Sequence, residues 1–80
     1  MKRPIGSSWD LFRSAVVPHD APPTQVQEMR RAYYAGCAAL FDIQMQMTAP
    51  DKTEEDGMDT MSSVQAELLE FAGQVQSGKR

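Results

Sequence analysis

The sequence predicts an all-α protein: a short N-terminal helix packed on a long antiparallel helical hairpin, assembled as a homo-oligomer. Three observations predict it. Two long stretches carry apolar or small residues at alternating three- and four-residue intervals, the spacing of one face of an α-helix. Proline, aspartate and cap residues stand between these stretches. Only five residues join the two long stretches, short enough for them to fold back on each other.

The elements follow in order. Residues 1–7 read as a flexible N-terminus. A first helix is expected over 8–16, because Ser7 and Asp10 have capping-box spacing and Trp9, Phe12 and Val16 fall on one face. A helix this short is marginal alone and must dock, with Trp9 and Phe12 as anchors. Residues 17–23, VPHDAPP, break the helix; three prolines set a stiff, extended connection.

The second helix is expected over 24–47, with Thr24 and Gln27 as a capping pair behind Pro22 and Pro23. Its seam is Val26, Met29, Tyr33, Gly36, Leu40, Ile43 and Met47. A second face of this helix carries Ala32, Ala35, Gly36, Ala38 and Ala39, residues small enough to let another backbone approach. That face serves tight packing inside the hairpin, a homo-oligomeric interface, or both. Residues 48–52, TAPDK, form a turn. The third helix is expected over 53–76, opened by Thr53 with Asp56 and by Glu54 and Glu55 at the positive end of the helix dipole. Its seam is Met61, Val64, Leu68, Phe71 and Val75, with Gly57 one turn earlier. Two helices of similar length joined by a short turn fold back on each other, and each would be ~35 Å long at 1.5 Å per residue.

Eighty residues make a single domain near the lower limit for a self-sufficient core. Such scaffolds need a staple. One cysteine and one histidine supply neither a disulfide nor a zinc site, which leaves oligomerisation. The free thiol suits a reducing compartment, and the basic N-terminus is not followed by the apolar core of a secretory signal, so the expected location is the cytoplasm. No apolar run approaches the ~20 residues of a membrane span.

Net charge is −3, which disfavours nucleic-acid binding. The charge is unevenly spread. Residues 1–41 carry five cations against three carboxylates, and residues 42–80 carry eight carboxylates against three cations. An anion site in the first half is compatible with an acidic chain.

No catalytic constellation, glycine-rich phosphate loop or metal-ligand spacing is present in the sequence, so neither an enzyme nor a cofactor is expected. Arg30, Arg31, Tyr33 and Tyr34 are the residues suited to ligand chemistry. Guanidinium groups bind phosphate bidentately, and aromatic rings stack on bases. The nearby start of the second helix offers backbone N–H groups to an anion. Folding the first helix back would bring Trp9 and Arg13 alongside, with His19 and Gln25 near the helix entry. In the competing structural reading, Arg30 or Arg31 pairs with Glu28, Asp42 or the acidic helix of a neighbour, and Tyr33 fills the seam.

The stretch W-x-x-F-R-x-x-V-V-P-x-x-A-P-P-x-Q-x-x-E-M-R-R-A-Y-Y-A-G-x-x-A-L-F, Trp9 to Phe41, resembles a family of very small proteins encoded by tailed bacteriophages and prophages. The resemblance covers about half the chain and implies a setting, that of small accessory or counter-defence proteins. Compact helical oligomers of this kind are similar in architecture to the phage sponges that sequester nucleotide signals of host defence systems. The expectation is a non-enzymatic, phage-encoded protein of the host cytoplasm that sequesters a small anionic ligand of the nucleotide-signal class. Its binding residues would be Trp9, Arg13, His19, Gln25, Arg30, Arg31 and Tyr34. The alternative is a protein-interaction module acting on a host protein through its methionine-rich helical surface.

Overall fold

The computed structural model describes residues 2–78. All regular structure among them is helical: α1 (Pro4–Val16), α2 (Pro23–Met47) and α3 (Glu54–Gln76). Of the flexible C-terminus expected after Gln76, Ser77 and Gly78 form a turn and residues 79–80 lie outside the described residues.

The helix starts show which local signal wins. α1 begins four residues before the expected 8, so residues 4–7 are helical rather than flexible. Pro4 occupies the first helical position, and the Arg3 carbonyl accepts the first bond, from the Ser7 N–H at 2.9 Å. Proline has the required φ and lacks an N–H that the first turn would leave orphaned. The Ser7–Asp10 pair therefore lies inside the helix. α2 starts the same way, with Pro23 in its first turn and the Val26 N–H bonded to the Pro22 carbonyl at 3.1 Å. Thr24 is one residue inside the helix and not at its cap.

α3 has no proline at its start, and there the capping box forms. The Thr53 hydroxyl accepts from the Asp56 N–H at 3.1 Å, and the Asp56 carboxylate accepts from the Thr53 N–H at 3.0 Å. These bonds favour the ionised carboxylate and hold Asp56 below its ordinary value of 3.8, assisted by Lys52.

The segment after α1 is less extended than its prolines suggest. Val17 is extended, but the Ala21 N–H then bonds back to the Pro18 carbonyl at 3.2 Å and closes a turn.

Contacts divide the chain into two compact units between Asp42 and Ile43, inside α2. The reason lies in where the apolar residues condense. In the first unit Trp9 and Val17 are buried, at 3% and 6% exposure. Trp9, Phe12 and Tyr33 form an aromatic cluster with ring centroids 5.3–5.9 Å apart. Each such pair adds about 0.5–1.5 kcal/mol beyond area burial. The hydroxyls of Ser8 and Tyr33 are hydrogen-bonded, which satisfies the polar end of that ring. This cluster docks α1 onto α2 through Trp9 and Phe12, as the sequence leads one to expect.

The second unit joins the last turn of α2 to α3 through the turn at residues 48–53. Among its described residues the buried one is Gly57, where an added Cβ would sit 3.5 Å from the Met47 methyl. Further along α3, Val64 is half-buried, whereas Leu68, Phe71 and Val75 are 62%, 53% and 48% exposed. Among the described residues no helix is long and apolar enough to cross a membrane.

Candidate functional site

The aromatic cluster fixes α1 against α2 and leaves a groove beside it. Its volume is about 470 Å³, and Arg3, Trp9, Asp10, Arg13, Arg30 and Tyr34 line it. The first turn of α1 passes close over Tyr34: a Cβ on Gly6 would lie 3.4 Å from the Tyr34 hydroxyl oxygen. A second groove of about 390 Å³ lies against Arg13, Pro18 and His19, and Asp10, Arg13 and Val26 line both. Both volumes fall within the ~300–1,000 Å³ range of small-molecule sites.

The first groove is cationic. Arg3, Arg13 and Arg30 line it against a single carboxylate, Asp10. Among the described residues the ion pair is Arg31–Glu28, at 2.9 Å, and the three groove arginines have none. The Arg30 guanidinium lies over the Tyr34 ring, 4.9 Å from its centroid. A cation–π contact of this kind restrains the guanidinium without consuming its N–H donors in a salt bridge.

Four of the seven residues singled out from sequence therefore line one groove: Trp9, Arg13, Arg30 and Tyr34. His19 lines the adjoining one together with Arg13. Gln25 and Arg31 line neither. Gln25 is exposed in the first turn of α2, and Arg31 turns away to Glu28 on the same helix. Adjacent helical residues point about 100° apart, so only one of Arg30 and Arg31 can face the groove, and it is Arg30.

Two roles change. Trp9 is 3% exposed and engaged with Phe12 and Tyr33, so it shapes the groove wall and has no free face for a base. Tyr34 has one face taken by Arg30, which makes it a positioning residue for that guanidinium. Arg3 and Asp10 are charged lining residues that the sequence reading left out. Pro4 was the available signal for Arg3, since a proline-started helix brings residues 3–7 into the fold.

Among the described residues no group of three or more His, Cys, Asp or Glu side chains comes together as a metal site. Cys37 is half-buried in mid-helix. In the second unit an open, mostly apolar cavity of about 520 Å³ is bordered by Met47, Met58 and Met61. Met58 is 71% exposed.

Compared with protein-family profiles, curated proteins and solved structures, the chain matches none.

Proposed function

We propose that this protein binds and sequesters a small phosphate-bearing ligand in the groove between α1 and α2. The observation that carries the reading is the convergence of Arg3, Arg13 and Arg30 on one groove with none of them held in a salt bridge. Arginines lining one groove are suited to phosphate oxygens, and each charge-assisted bond is about twice as strong as a neutral one. Sequestration requires affinity and enclosure but no chemical step, so the protein acts without catalysis. With the resemblance of residues 9–41 to small phage proteins, the ligand is a nucleotide-type signal of host defence, and the protein is a phage counter-defence factor.

An open groove on one chain does not enclose a ligand. In this reading α2 and α3 close as an antiparallel hairpin, and copies of the chain associate as a homo-oligomer that covers the exposed α3 positions Leu68, Phe71 and Val75. Native mass spectrometry of freshly purified protein, with and without a nucleotide panel, tests both parts. An oligomer that gains discrete nucleotide masses supports the proposal. A bare monomer overturns it.

The second reading is a protein-interaction module, favoured by the apolar methionine-bordered cavity of the second unit. Methionines adapt to varied helical partners. In that case a host protein is the ligand, and nucleotides leave the melting temperature unchanged.

A further inference from the structure

The arginine groove contains a carboxylate, and a bare anion would be better bound without it. Asp10 lines both grooves, beside Arg13, which also lines both. Asp10 and Arg13 are three residues apart on α1. Glu28 and Arg31 have the same spacing and order on α2, and they close into a 2.9 Å ion pair. Among the described residues Asp10 and Arg13 do not pair. The same helical geometry therefore offers a pair that closes and one that stays open, and the open one is on the groove wall. An unpaired acid that lines the same groove as three arginines offers acceptor oxygens to a ligand held there.

We infer that Asp10 is the specificity-determining residue of this groove. It accepts a hydrogen bond from a hydroxyl or amino group carried by the ligand, and it repels anions that bring no such donor. The ligand class is then a phosphate ester of a hydroxyl- or amine-bearing group, as in a nucleotide, and not inorganic phosphate. A carboxylate that reads a sugar hydroxyl or an exocyclic amine gains a charge-assisted bond, whereas a bare anion meets like-charge repulsion at the same place. The inference rests on the anion-groove reading above.

The test is isothermal titration calorimetry on the full chain at fixed low salt, with adenosine monophosphate and inorganic phosphate as probes. Asp10 is exposed on the helix surface, so Asp10→Ala keeps the fold, and circular dichroism checks this. The wild type is expected to bind the nucleotide more tightly than phosphate. Asp10→Ala is expected to weaken the nucleotide about tenfold while phosphate is unchanged or bound more tightly. Asp10→Asn, which keeps an acceptor oxygen, is expected to lose less. If Asp10→Ala leaves both probes unchanged, or strengthens both, Asp10 is a solvated helix charge and the inference falls. Arg30→Ala separates the two failures. If it abolishes phosphate binding, the anion groove stands whatever Asp10 does; if neither probe binds the wild type, both readings fall together.

Discussion

Trp9 and Tyr33 meet edge to face, with ring centroids 5.4 Å apart and planes inclined at 60°. This contact joins a 13-residue helix to a 25-residue one. A helix as short as α1 has little stability of its own, so its place on α2 depends on the cluster that Trp9 anchors. The arginine groove is a consequence, because Arg3 reaches it from the residue before α1, Arg13 from the last turn of α1 and Arg30 from α2.

Trp9→Ala is expected to cost about 3–5 kcal/mol, the usual range for removing a buried tryptophan. Small domains have only about 0.05–0.15 kcal/mol of stability per residue. Loss of α1 docking should follow, read as lower helicity by circular dichroism and as hydrogen exchange of residues 4–16. A variant with wild-type exchange in α1 would show that the cluster is not what holds it.

Arg30→Ala and Arg31→Ala should behave differently. Arg30 lines the groove, so its loss is expected to weaken phosphate-ligand binding about tenfold or more. Arg31 is an exposed partner of Glu28, and its removal should leave affinity within about twofold and stability within about 0.5 kcal/mol. Equal loss in both variants would place the site elsewhere, and no loss in either would end the ligand-binding reading. Calorimetric titration measures both.

Gly57→Ala is expected to stabilise the second unit by roughly 0.5–1 kcal/mol. Alanine is the better helix former by about that amount. The added Cβ would meet the Met47 methyl at 3.5 Å, an ordinary contact. The urea midpoint should therefore rise, and an unchanged or lower midpoint would show that the Met47 side chain does not accommodate the new contact.

Asp56 predicts a pH dependence at the start of α3. Its capping bonds depress the folded value below 3.8, so the unfolded chain takes up the proton first. Stability from this group is fully present above the unfolded value. It is lost as pH falls from there through the lower folded value. Urea titrations between pH 5 and pH 2.5 should show a smaller acid loss in Asp56→Ala than in the wild type. Parallel curves would mean that the capping box carries no net linkage.

The extents of α2 and α3 were legible in the sequence because each depends on its own segment. The 3-4 apolar spacing marks the helical stretch, and Thr53 with Asp56 marks a start, all within a few residues of chain. Where two local signals compete the reading is weaker. Ser7–Asp10 and Thr24–Gln27 have the spacing of caps, yet Pro4 and Pro23 set the actual starts, because proline suits the first helical turn sterically.

The sequence by itself determined an all-helical chain, its two long helices, the α1 anchors Trp9 and Phe12, and a basic first half with arginines beside tyrosines. Tertiary structure decided which of these residues share a space. It buried Trp9, turned Arg30 onto Tyr34 and Arg31 onto Glu28, and brought Arg3 and Asp10 into the groove. The physical reason is one of range. Helix formation is written in neighbours three and four residues apart. A groove depends on side chains far apart in the chain, here from Arg3 to Tyr34, and their meeting is set by how the rings of the aromatic cluster pack.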